Sequence, residues 1–198
     1  MCQPGERNGV THGLYARMVT VLVDQARWPW RGMYWCHLVS DHNLDELHDF
    51  ARQLGCRRIG FQGDHYDIDV ETRQQAIDLG AEACDSRELV RRMKAVGLRL
   101  RPAQFTKWSL VSRGLVVPAP VGAALPDDLS GWVEHADGYF QLRRTRANGE
   151  SAQAVVIYGT NVPMPTPGDR PGDGVFVRID RVRAWSIEVI TPPPTAAE

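Results

Sequence analysis

The chain has 198 residues, 43% hydrophobic and 24% charged, enough to bury a core without disulfides. Its 23 basic and 24 acidic residues leave a net charge of −1 at pH 7, which excludes the general basic excess of a nucleic-acid coat and leaves only local basic patches. No run approaches the roughly 18 apolar residues of a membrane span, and residues 1–17 hold no apolar signal core, so the reading is a cytoplasmic protein with no membrane partner. Cys2, Cys36, Cys56 and Cys84 never form a C-x-x-C pair and read as free thiols, with Cys36 and Cys56 as small buried hydrophobes.

In chain order, residues 1–17 show no sustained periodicity and read as a flexible tail, with Met18 an alternative start and 19–23 the first strand. A Trp/Pro/Gly loop leads to an apolar strand at 34–39. Ser40 and Asp41 offer N-cap chemistry to a helix carrying Leu44, Leu47, Phe50, Ala51 and Leu54 at helical spacing, and Gly55 suits its end. Residues 57–62 read as a buried strand, 71–79 as a helix stopping at Gly80, and 81–84 as a short strand. Ser86 reads as the cap of a last helix running to Gly97. This alternation predicts a small α/β domain over 18–100, its sheet mixed or parallel, with helices packed on it.

A Pro-rich connector over 101–128 surrounds the apolar run 115–117 and has room for one strand. Beyond it, 129–191 reads as a small antiparallel β-rich domain, in which 132–146 and 152–158 flank the hairpin signal Asn148-Gly149 and 175–190 continues in β-type residues. Residues 163–173, rich in Pro, Gly and Asp, read as a mobile surface loop, and 192–198 as a tail.

Polar side chains gather where the α/β strands end: Asp24 and Arg27 after the first, His37 and Asp41 around the second, Gln62 to Asp67 after the third. In open α/β sheets that edge binds ligands. Parallel strands would bring these groups into one crevice, and antiparallel strands would disperse them. In Gln62-Gly-Asp-His65-Tyr66-Asp67, H-x-D on an extended chain puts an imidazole and a carboxylate on one face, able to share a metal or a proton. Gly-Asp-His is equally good turn chemistry. His37 lies in an apolar strand, where a satisfied core histidine is the plain alternative, but Asp41, His42 and His48 follow closely. His48 can approach the strand ends, while His42 points to solvent.

The candidate catalytic residues are His37, Asp41, His65 and Asp67; adding His48 gives the candidate metal ligands, and Asp24, Arg27, Gln62, Tyr66 and Arg73 are the candidates for binding substrate. Imidazoles with carboxylates suit Zn, Mn or Fe, so a divalent metal is compatible as cofactor without one being named. Arg73, at a helix start with Glu71, and Arg27 are candidates for holding phosphate, with plain solvation as the alternative. Arg27-Trp28-Pro29-Trp30-Arg31-Gly32, followed by Tyr34 and Trp35, interleaves cations with aromatics, a pattern that stacks bases, forms a lid or packs on its own sheet. Arg143, Arg144 and Arg146 near the hairpin tip, and Arg178, Arg181 and Arg183 later, are diluted by neighbouring acids. Walker, G-x-G-x-x-G, G-x-S-x-G and H-E-x-x-H signatures are absent, which argues against nucleotide kinases, Rossmann dehydrogenases and ordinary serine hydrolases.

The segments Val19-Thr-Val-Leu-Val-Asp24, Trp35-Cys-His-Leu-Val-Ser-Asp41, Asp45-Glu-Leu-His48 and His65-Tyr-Asp67, with Arg73, Ala76 and Gly80-Ala81, together resemble the domain of unknown function 4031 family of bacteria and their phages. The resemblance covers residues 18–92. It implies a compact α/β module and carries no established reaction to transfer.

The leading expectation is an enzyme, a hydrolase of a phosphate-containing small molecule or nucleic acid that uses the His/Asp cluster with or without a metal. Its rival is a non-catalytic module, phage-related, that binds nucleic acid or protein through the aromatic loop and the arginine strands. A third reading makes the β-rich part an assembly surface, and the sequence leaves the oligomeric state open.

Overall fold

The computed structural model describes residues 21–101, 107–122, 125–145, 151–160, 165–179 and 184–191. The two expected tails, Asn148-Gly149 and part of the 163–173 loop lie outside the described residues. The fold is mixed α/β followed by an antiparallel β-rich part. Among the described residues no helix is long and apolar enough to cross a membrane.

The first part runs β1 (Val21–Val23), β2 (Trp28–Trp30), β3 (Met33–Ser40), α1 (Leu44–Gln53), β4 (Tyr66–Asp69), α2 (Val70–Asp78), β5 (Glu82–Ala83) and α3 (Ser86–Ala95). β3 is the long central strand, antiparallel to β1 and β2 on one side and to β4 on the other, while β5 extends β1 in parallel. Strand alternation then divides the side chains between two layers. Val21, Val23, Cys36, Leu38, Tyr66 and Ile68 pack under Leu47, Phe50 and Ala51 of α1 and Ala76 of α2. Leu22 and Val39 face the other way, onto Leu89 and Met93 of α3.

The helices stop where glycine takes up the left-handed conformation, at Gly55, Gly80 and Gly97. Their starts differ from the expected caps. Asn43 caps α1, its Oδ1 accepting from the Glu46 N–H at 2.8 Å, because the Ser40 hydroxyl is taken up between Glu46 Oε2 and the His42 and Asn43 N–H groups. Asp85 caps α3, which releases Ser86 to donate elsewhere. The strand expected over 57–62 is instead a 3-10 turn at Arg58–Gly60 with an isolated bridge between Phe61 and Tyr66. The reason is tertiary, since this segment seats the second sheet rather than joining the first.

That sheet has six antiparallel strands in the order β6 (Ser109–Gly114), β7 (Gly138–Thr145), β8 (Ser151–Gly159), β11 (Trp185–Thr191), β10 (Val175–Ile179) and β9 (Gly168–Arg170). β6 comes from the Pro-rich connector, just before the apolar run, so Leu115 and Val116 remain exposed. β9 and the turn Pro171–Asp173 give regular structure to part of the stretch read as a mobile loop, because β9 pairs with β10. One face carries Val175, Val177, Trp185 and Ile187 against Leu125 and against Leu129 and Trp132 of short helical turns. The opposite face carries Ala154, Phe176 and Ile190 against Ile59 of the first part.

Glu188, fully buried on that second face, joins the two parts: it accepts from Arg57 Nε at 2.8 Å and from the Ile59 N–H at 3.0 Å. Arg178 beside it donates to the Cys56 carbonyl at 2.8 Å. Glu188→Ala leaves the Ile59 donor without its acceptor. The half-exposed Arg57 regains water, so the expected loss is about 1–3 kcal/mol in urea unfolding. Glu188→Gln retains an acceptor and is expected to lose less.

Candidate functional site

The cross-strand registers place the site. Val23 lies opposite Leu38 and His37 opposite Asp67, so Asp24, His37 and Asp67 form one row across β1, β3 and β4 on the α3 side of the sheet. The tight turn before β4, closed by the Gln62 N–H donating to the His65 carbonyl at 2.8 Å, brings His65 onto the same face as Asp67. The result is a convergence of three donors. His65 Nε2 lies 3.5 Å and His37 Nε2 4.0 Å from Asp67 Oδ1, and the ligand atoms of all three residues lie within 4.8 Å of one another. The imidazoles meet edge to face, with centroids 5.1 Å apart.

Behind each imidazole stands a buried carboxylate. Asp24 Oδ2 lies 3.0 Å from His37 Nδ1 and accepts from the Ser86 hydroxyl at 2.6 Å, while Oδ1 accepts from the His37 N–H at 2.7 Å. Asp64 Oδ1 is paired with His65 Nδ1, and Oδ2 accepts from Arg99 Nη1 at 3.0 Å and the Leu100 N–H at 2.9 Å. Burial alone would raise both carboxyl pKa values, but these donors outweigh it and hold Asp24 and Asp64 below the ordinary carboxylate range. The hydrogen bond to Asp24 raises the His37 pKa against the opposing effect of burial. With Nδ1 engaged by a carboxylate, each ring turns its Nε2 atom toward Asp67.

This is a two-histidine, one-carboxylate donor set. Two donors each about 2.1 Å from a tetrahedral cation are about 3.4 Å apart, so the His65–Asp67 spacing fits such an ion and His37 needs only a small approach. A cavity of about 250 Å³ opens onto the cluster, floored by Asp24, His37 and His65, and walled by Trp28, Leu89, Met93 and Arg99. Apolar walls, a polar floor and one guanidinium suit a small anionic ligand.

Four expected residues converge here, His37, His65 and Asp67 as donors and Asp24 behind His37, and the others are placed elsewhere. Asp41 pairs with Arg92 of α3, which also holds Glu82. His48 is on α1, across the sheet, against the Phe61 ring and 3.0 Å from the Tyr66 hydroxyl. Burial lowers its pKa to about 3. The sheet separates it from the cluster, so His48→Phe is expected to leave divalent-metal affinity unchanged in calorimetric titration. Tyr66 points into the α1 layer. Gln62 turns back to the Gly60 carbonyl, and Arg73 donates to the Asp24 carbonyl at 2.6 Å, holding the end of β1 rather than facing the cavity. Arg27 is exposed beside Gln25. Cys36 is buried, and burial pushes its thiol up to about 12, which keeps it protonated.

Residues 21–96 match the model of a family described as Protein of unknown function (DUF4031). The donor set, both buried carboxylates, Trp28 and Ser86 all lie inside the DUF4031 segment. Arg99 and Leu100, which hold Asp64, follow immediately after it. No curated protein and no solved structure matches the chain.

The strands beneath the site are antiparallel, the arrangement expected to disperse the groups. The cluster forms nonetheless because His37 lies within β3, not at its end, and cross-strand register brings Asp24 and Asp67 to it. Sequence reasoning also missed Asp64, Ser86 and Arg99. Asp64 carried a signal in its adjacency to His65, Ser86 was hidden by its resemblance to a cap, and Arg99 gave none.

Proposed function

We propose that this protein is a divalent-metal-dependent hydrolase of a phosphate ester, with His37, His65 and Asp67 as ligands. The observation that carries the reading is the paired backing of the two imidazoles by buried carboxylates, the outer-shell arrangement that orients metal-bound histidine. Donor sets of this kind hold zinc in hydrolases and iron(II) elsewhere. A bound cation would supply Lewis acidity toward a phosphoryl oxygen and lower the pKa of water. Arg99, at the cavity wall, brings the guanidinium that favours an anionic group over a neutral one. Asp24 and Asp64 keep the rings oriented, and Leu89 and Met93 of α3 limit water on one side of the cavity. A cytoplasmic setting suits Cys36, Cys56 and Cys84, which form no disulfide among the described residues.

The test is calorimetric titration of the chelator-treated protein with Zn, Mn and Fe(II), alongside hydrolysis of an activated phosphodiester before and after chelation. The reading expects one tight metal equivalent and hydrolysis that the metal restores. Binding without hydrolysis of any phosphate ester would overturn the reaction, and absence of binding would overturn the metal.

A further inference from the structure

The metal centre does not involve the β2–β3 hairpin, yet this is where exposed aromatic side chains gather among the described residues. Trp28 is 57% and Trp30 55% exposed. Both occupy one face of β2, two residues apart and so about 7 Å apart along the strand. The face is braced along its own side, since Trp35, the cross-strand partner of Trp28, packs edge to face on Trp30 at 5.4 Å and donates its indole N–H to the Trp30 carbonyl at 3.1 Å. Its turn, Arg31-Gly32, takes positive φ at both positions (51° and 78°), which folds Arg31 back over the Trp30 ring at 4.4 Å. Arg27 stands at the other end of β2. Neither Arg27 nor Arg31 is within ion-pair distance of a carboxylate among the described residues.

The face also leads to the site. Trp28 lies 6.0 Å from the His37 ring and forms a wall of the cavity over His37 and His65. Two rings spaced along an extended strand, flanked by two cations and ending at a small cavity, match a ligand that repeats a flat ring and an anion. Bases have a π-face whatever their sequence, and phosphates answer guanidinium groups.

We propose that the β2–β3 hairpin is a stacking platform for single-stranded nucleic acid, its bases on Trp28 and Trp30, its phosphates at Arg27 and Arg31, and one nucleotide led toward the His37–His65–Asp67 cluster. The proposal names the substrate class of the hydrolase reading, on which it rests for the reaction alone.

Binding is tested in chelated protein, where that reading makes no demand, by the fluorescence anisotropy of a labelled oligothymidylate of about a dozen nucleotides at low salt. Trp28→Ala and Trp30→Ala are each expected to weaken binding by about 5- to 150-fold, the effect of losing one stacked base. Trp30→Phe keeps a ring and is expected to retain most of the affinity. Tyr34→Ala, on the opposite face of the hairpin, is expected to change nothing. Arg31→Ala is expected to reduce the steepness of the log–log salt dependence by about 0.7, as for one lost phosphate contact. Trp30 is exposed, so its replacement tests the platform even where loss of Trp28 disturbs the cavity. Absent binding at low salt, indifference to Trp30→Ala, thymidine monophosphate binding as tightly as the oligomer, or a dimer that Trp30→Ala dissolves would each overturn the proposal. Metal-dependent hydrolysis of a simple phosphodiester without strand binding would end the platform and leave the metal reading standing.

Discussion

His65→Ala is expected to reduce divalent-metal affinity and metal-dependent hydrolysis by more than about 100-fold, beyond the 10- to 100-fold cost of losing an outer-shell partner. The substitution removes one of three donors and leaves the fold its supports. Asp64 loses its contact with the ring but keeps Arg99 Nη1 at 3.0 Å and the Leu100 N–H at 2.9 Å, so the buried carboxylate remains compensated. His65 stands in the turn before β4, and the Gln62–His65 main-chain hydrogen bond that closes this turn does not involve the side chain. Asp67→Asn makes the same test from the other side of the site, because the Asp67 side chain is 46% exposed and its loss disturbs no packing. Calorimetric titration together with thermal unfolding separates the outcomes: Asp67→Asn is expected to retain the metal-free unfolding midpoint, His65→Ala to lower it through the lost contact with Asp64, and both to lose the metal. Unaltered affinity in both would remove the cluster as a metal centre and with it the hydrolase reading.

How far the sequence reached depends on which physics each element uses. α1 was legible because Leu44, Leu47, Phe50, Ala51 and Leu54 bury one stripe of a helix, a local pattern with a local cause, and Gly55 ends it by adopting φ of 73°. The 57–62 segment was not, because its backbone answers Glu188, which is 129 residues from Ile59 in the chain. The antiparallel β-rich part was legible from its hairpin signal and its β-type residues, and β9 was hidden by Pro and Gly that mark only its ends. At the site, His65 and Asp67 share a face by the two-residue period of an extended chain, which spacing alone reveals. The link to His37 is a matter of register between β3 and β4, which spacing does not encode. Asp41 and His48 looked equally near in sequence, yet Arg92 takes the first and the sheet itself screens off the second.

The second large effect concerns pH, and its sign follows from Asp24. The hydrogen bond to Asp24 is the main cause of the raised His37 pKa, so the ring holds its proton to higher pH than an ordinary histidine near 6.5. A metal competes with that proton for Nε2, and affinity is therefore weak at low pH and grows as pH rises through the His37 value. Asp24→Asn removes the charge that raises it. Onset of metal binding is expected to move to lower pH, while plateau affinity falls by about 10- to 100-fold through the loss of ring orientation. Opposite movements of onset and plateau distinguish this role from simple loss of structure. The metal-free protein gives the independent readout. Because the folded His37 pKa is raised, its contribution to stability is fully present below about 6.5 and is lost as pH rises through the folded value. The depressed Asp24 acts at the other end, contributing above its ordinary 3.8 and losing this only as pH falls through the folded value. Unfolding of the metal-free wild type is thus expected to show a decline as pH rises from about 6.5 through the folded His37 value, which Asp24→Asn flattens, and NMR titration of the His37 ring is expected to show its pKa falling. A His37 pKa unmoved by the substitution would break the link between the buried carboxylate and the metal-binding nitrogen.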